Sequence, residues 1–210
     1  MGPLRNPSRR AFLGIAAAFV VAQAPVRAQS ADAADIARAE TYLDSIRTLE
    51  ARFLQIAPDG SVAEGGFFLS RPGRLRLDYD APNPNLLVAD GRALVHIDRH
   101  LKTIAYLPLD STPAGLLVRD RIRLSGDLRV VGVERGPGTL RIAVVQATDP
   151  RAGRIVLAFA ERPFVLSSWA FVDAQGQTTR LSLLDAKFGQ AIDPDRFTFV
   201  DPSQPASRGN

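Results

Sequence analysis

The chain has 210 residues, two histidines and no cysteine, which excludes disulfide staples, thiol nucleophiles and cysteine-based zinc sites. Its net charge of +4 equals the four arginines, Arg5, Arg9, Arg10 and Arg27, that precede the first acid, Asp32. Everything after them is formally neutral and offers no excess of positive charge for nucleic acid.

Residues 1–28 read as an export signal. Basic residues precede the apolar run Ala11 to Ala22, and Pro25 leads into the small-residue pattern Val26-Arg27-Ala28. The run has 12 residues, against the about 20 that a membrane-spanning helix needs. Ser8-Arg9-Arg10-Ala11-Phe12-Leu13 resembles a twin-arginine motif, so the Tat and Sec routes both stay open. Residues 29–202 are then expected to form one domain, of ordinary size for a single core, and 203–210 a disordered tail.

The first predicted element is a helix over Asp32 to Leu49, on the spacing of Ile36, Ala39, Leu43 and Ile46. Asp32 or Asp35 is placed to cap it, and Arg47 to face its C-terminal dipole. Short β-rich stretches separated by Pro, Gly and Asp turns follow: 50–57, 61–70, 74–80, 85–90, 93–98 and 102–107. Within 74–80, Leu75, Leu77 and Tyr79 alternate with Arg74, Arg76, Asp78 and Asp80, which predicts one apolar face and one wet face. Five further strands are predicted over 127–134, 139–146, 154–159, 165–172 and 177–184. Eleven strands in all imply a large antiparallel sheet that must curl. Between the two sets, Asp110 to Val118 has a capping residue, a first-turn proline and an apolar run. It predicts a short helix crossing the mouth of the sheet.

Catalytic and metal constellations are weak. His96, Asp98 and His100 have metal-like spacing, but Asp98-Arg99 reads as a turn that would break their common face. No G-x-S-x-G elbow occurs, and the glycines at 132, 136 and 138 lie between strands, where they read as a hairpin rather than a phosphate loop. No cofactor and no bond chemistry are expected.

Ordered motifs resemble the outer-membrane lipoprotein carrier family, LolA. They are Phe53-x-Gln55, the run Glu64 to Tyr79 containing Gly65-Gly66 and Ser70-Arg71-Pro72-Gly73, Pro82, Leu87-Val88-Ala89-Asp90-Gly91, Thr112-Pro113-x-x-Leu116-Leu117, and Phe197-Thr198-Phe199. The resemblance covers the mature domain. It implies a mainly β fold: an unclosed antiparallel barrel of about eleven strands, with helices over the concave face and a hydrophobic cavity. It also implies a monomeric periplasmic carrier that takes the acyl chains of lipoproteins from an inner-membrane ABC-type releasing complex and delivers them to an outer-membrane receptor. Arg71 would latch a lid formed by Pro113, Leu116 and Leu117. Leu75, Leu77 and Tyr79 are expected in the cavity by alternation, and Phe53 and Phe68 by position. Two other readings stand beside this one: a carrier of another amphiphile, such as a glycolipid or sterol-like lipid, on the same fold, and a secreted enzyme or polar-ligand binding module.

Overall fold

The computed structural model describes residues 26–199 and residue 201. The signal segment up to residue 25 and the tail 203–210 lie outside the described residues. A helix α1 (Val26–Ser45) leads into strands β1 (Thr48–Ile56), β2 (Val62–Ser70), β3 (Arg74–Tyr79), β4 (Asn85–Asp90), β5 (Ala93–Asp98) and β6 (Thr103–Pro108). A 3₁₀ turn (Leu109–Ser111) and the short helix α2 (Pro113–Leu117) come next. Strands β7 (Leu128–Gly136), β8 (Thr139–Gln146), β9 (Gly153–Glu161), β10 (Phe164–Asp173) and β11 (Thr178–Phe188) complete the sheet, and a second 3₁₀ turn (Pro194–Phe197) follows it.

The eleven strands form one antiparallel sheet in the order β6-β5-β4-β3-β2-β1-β11-β10-β9-β8-β7. The first and last strands in the chain thus pair at the centre, and β6 and β7, neighbours in sequence, become the two open edges. The sheet curls without closing. Register shifts at Glu50/Arg52 in β1, Leu166/Ser168 in β10 and Val130/Gly132 in β7 supply local bends, since a bulged strand twists and turns away from its partner.

Alternation decides what fills the concave side. Leu140, Ile142 and Val144 of β8 and Leu157 and Phe159 of β9 are buried there under Ala39 and Leu43 of α1, and Leu75 and Leu77 of β3 are buried in a second cluster with Leu109 and Val118. The connection from β6 to β7 lies across the same face. Beyond α2 it contributes Ile122 and Leu124, both almost wholly buried against α1.

Two expectations are corrected. The helix stops at Ser45 rather than continuing to Leu49, because Thr48 onward pairs with β2 and β11. It also begins earlier, at Val26, so Asp32 and Asp35 lie inside α1, where they bind Arg135 of β7 instead of capping, and Arg47 sits beyond the helix in an ion pair with Asp120 at 2.8 Å. Nor is the outer face of β3 simply wet. The C-terminal segment packs across it: Arg76 donates to the carbonyls of Arg196 and Thr198, each at 3.1 Å, and Phe199 packs on a small cluster of Leu86, Val88, Val95 and Ile97.

Candidate functional site

The organising residue is Arg71, the one buried charged side chain among the described residues. It follows the end of β2, where its own N–H is held by the Arg47 carbonyl at 2.8 Å. Its guanidinium points at two helix ends. Nε donates to the carbonyl of Leu117 at 2.7 Å, and Nη1 donates to the carbonyl of Leu43. Both carbonyls belong to last turns, which lack the full set of intrahelical donors and carry the negative end of the helix dipole; Leu43 also accepts from the Ile46 N–H at 3.2 Å. A planar fork of fixed donors suits two such acceptors. Burial pulls the Arg71 pKa down to about 10, opposed by Asp44 and Asp120 and reinforced by Arg47, so the group is cationic at neutral pH.

Around this junction the connection is tied to α1 by further polar contacts. Burial alone would raise the pKa of Asp44, but the Ile122 N–H at 2.6 Å and the Arg123 guanidinium at 2.7 Å hold it below the usual carboxylate value, with Arg71 adding to the effect. Glu40 accepts from the Leu124 N–H at 2.6 Å. The Gly73 N–H reaches the Val118 carbonyl at 2.8 Å, a second bond from the end of β2 to the segment after α2.

Beneath α2 lies a cavity of about 230 Å³ lined by Leu75, Leu77, Tyr79, Leu94, Leu117 and Trp169, with Gln55 and Thr179 as polar members. On the other side of α2 a smaller hollow of about 100 Å³ is bordered by Leu116, Leu128, Val144 and Ile155. Phe171 reaches both. The short helix therefore stands as a partition, with Leu117 facing one hollow and Leu116 the other. It begins at Pro113, its start capped by the Thr112 hydroxyl. Gly115 is required inside it, since a β-carbon there would collide with the Leu109 carbonyl.

The residues named from sequence thus divide. Leu75, Leu77, Tyr79 and Leu117 line the larger cavity, and Arg71 sits at the junction that holds its roof. Phe53 is fully buried behind Tyr79, with ring centroids 5.0 Å apart and planes 80° apart, and supports the wall without lining it. Phe68 is a correction. The register Phe67↔Leu77 and Phe68↔Arg76 puts Phe67 on the concave face and turns Phe68 outward, where the Arg196 guanidinium covers its ring at 4.2 Å. Two adjacent aromatics in a strand cannot share a face, and only the register says which one enters.

Sequence reasoning missed Trp169, Phe171, Leu181 and Gln55. The first three were signalled by period-two spacing in strands that were expected. Gln55 carried no signal beyond its motif. His96 is bonded to Asn85 at 2.7 Å, and Asp98 accepts from the N–H groups of His100 and Leu101, so these residues build a hairpin turn.

The family profile described as "Outer membrane lipoprotein carrier protein LolA" matches residues 44–200. The chain belongs to this family. An outer-membrane lipoprotein carrier protein of Azotobacter vinelandii is 31% identical, with 92% of this chain and 94% of that protein covered. One of Pseudomonas aeruginosa is 30% identical, with 83% and 88% covered. Among solved structures, a LolA superfamily protein from Nitrosomonas europaea covers 78% of this chain and 97% of its own at 12% identity, with a TM-score of 0.44. The region matched to LolA runs from Asp44 through all eleven strands, so it contains Arg71, Leu117 and every lining residue of the larger cavity, while Leu43 lies one residue before it.

Proposed function

We propose that this protein is a periplasmic lipoprotein carrier. It shelters acyl chains in the space between the curled sheet and the α2 roof, and Arg71 latches that roof closed when the space is empty. The observation that carries the reading is the apolar cavity under a helix held by a buried guanidinium, in a chain whose relatives are named outer-membrane lipoprotein carriers.

Magnitudes explain the need for such a device. A buried methylene is worth ~0.8 kcal/mol, so one 16-carbon chain entering water loses roughly 12 kcal/mol and three lose roughly 36. Non-covalent affinities saturate near about −20 kcal/mol, so the carrier works by near balance between membrane and cavity rather than by maximal grip. An inner-membrane ABC-type complex would supply the work of loading and an outer-membrane receptor would take the cargo, with the carrier moving between them as a monomer.

The cavity is small for this task. At about 230 Å³ it falls below the roughly 300–1,000 Å³ of ordinary small-molecule sites. Loading therefore requires α2 to lift, which joins the hollows on its two sides. Breaking the Arg71–Leu117 and Gly73–Val118 bonds frees the C-terminal end of that partition while leaving the strand ladders paired.

Mass spectrometry of the protein purified from its exporting cell tests the reading. Acylated lipoprotein peptides should co-purify with it. Recovery of only a free glycolipid or sterol-like lipid, or failure to accept lipoprotein from membranes in a transfer assay, would overturn it.

A further inference from the structure

One polar contact stands among the apolar side chains of the cavity. The Tyr79 hydroxyl donates to Gln55 Oε1 at 2.7 Å, and both residues line the space. Their placement is firmly held. Phe53, Gly65 and Tyr79 form one cross-strand row on β1, β2 and β3, and the Phe53 and Tyr79 rings meet edge to face over the bare glycine. Burial pushes the Tyr79 pKa up, with the bond to Gln55 partly opposing, so the phenol is a neutral donor at working pH.

This arrangement occupies the acceptor end of the Gln55 amide and leaves its Nε2 hydrogens. Among the described residues no protein group accepts from them. A space meant to hold hydrocarbon alone gains nothing from a primary amide, because covering it with a chain and giving it no partner costs about 1–3 kcal/mol. Leucine and phenylalanine would fill the same volume.

We infer that the Gln55–Tyr79 pair recognises an acyl carbonyl, with Gln55 Nε2 donating to the ester or amide oxygen where a fatty chain joins its polar backbone. Tyr79 acts by holding the amide oxygen, which fixes the direction in which the amide hydrogens point. Chains are thereby seated at a set depth, carbonyl at the pair and tail against Leu75, Leu77 and Trp169. The inference rests on the reading of this cavity as an acyl-chain site.

The test compares three probes carrying one fluorophore on the same long chain: a methyl ester, an N-methyl amide and the plain hydrocarbon. Gln55→Leu should weaken the ester, the amide or both by about fivefold to tenfold, the worth of one hydrogen bond, while leaving the hydrocarbon unchanged. Which carbonyl probe responds names the linkage read. Tyr79→Phe should shift the same probes in the same direction by less. Gln55→Leu alone strands the Tyr79 hydroxyl, so the double variant Gln55→Leu/Tyr79→Phe, which removes both polar groups together, carries the test if the single variant unfolds. Equal losses for all three probes, or none for any, would overturn the inference and leave the acyl cavity standing. Failure of the wild-type protein to bind any of the three would remove the acyl cavity itself, and this inference with it.

Discussion

Replacing Arg71 by leucine removes the donors that two helix ends share. The Leu117 carbonyl would then be buried without a partner, at a cost of about 1–3 kcal/mol, unless α2 moves away and lets water in, while the Leu43 carbonyl keeps the Ile46 N–H at 3.2 Å. Without the guanidinium, α2 is held by the Gly73–Val118 bond and the burial of Leu116 and Leu117, and lifts more readily. Arg71→Leu should therefore raise the affinity of the empty protein for an apolar fluorescent probe by at least about fivefold, equivalent to one lost hydrogen bond. Arg71→Lys keeps the charge but not the fixed fork, and should fall between leucine and wild type. Probe titration measures both, and unchanged affinity in the leucine variant would remove the latch. Gly65 is a second single-residue test. A β-carbon there would run into the Asp78 carbonyl and lie 2.6 Å from the Phe53 ring, so Gly65→Ala should destabilise the protein by about 1–3 kcal/mol through overpacking. In a chain of this size that lowers the thermal midpoint by several degrees, at roughly 2–4 °C per kcal/mol, and a scanning calorimeter reads it directly.

At the scale of elements, the α2 connection is fastened largely by carboxylates. Asp44 holds Ile122 and Arg123, and Asp127 holds Arg119 at 2.5 Å. Both acids have pKa values below the usual carboxylate value: Asp127 through its bond to Arg119, against some desolvation, and Asp44 because its hydrogen bonds outweigh burial. A depressed carboxylate pKa stabilises the folded arrangement above the unfolded value, near about 3.9, and loses that contribution as pH falls through the folded value. Acidification below about pH 4 should thus loosen the connection and increase apolar probe uptake, with no change between about pH 5 and 8. Uptake that is flat to the pH of global unfolding would count against this. Strand positions were legible because each strand kept its own alternation and its turns were marked by Asp-Gly and Pro. The end of α1 was not: Leu43, Ile46 and Leu49 continue a three-residue spacing across the boundary, so periodicity cannot separate the last helical turn from the first strand pair. Nor was the strap at Ile122 and Leu124, whose apolar residues alternate with Arg121 and Arg123 at the end of a charged run and read as loop. Phe68, Gln55 and the Gln55–Tyr79 bond depend on register across three strands, which no single segment carries.

For the whole molecule, the sheet order separates a fixed part from a movable one. Strands β1, β2, β10 and β11 sit mid-sheet, each paired on both sides, while the β6–β7 connection is held by side chains, a few backbone bonds and the burial of Leu116, Leu117, Ile122 and Leu124. Opening that leaves the ladders intact is a local event, and local events are read by amide exchange at the bonds they break. The Gly73 N–H bonds to Val118 in the connection, whereas the neighbouring Arg71 N–H bonds to Arg47, which leads into β1. Two amides only two residues apart thus report on different parts of the protein. Loading with acylated cargo should abolish slow exchange at Gly73 while leaving Arg71 and the β1–β11 ladder protected. Hydrogen–deuterium exchange resolved to single residues by NMR decides it. Equal loss at both amides would mean that cargo enters by opening the sheet itself, and continued protection at Gly73 in the loaded protein would mean that α2 does not lift at all.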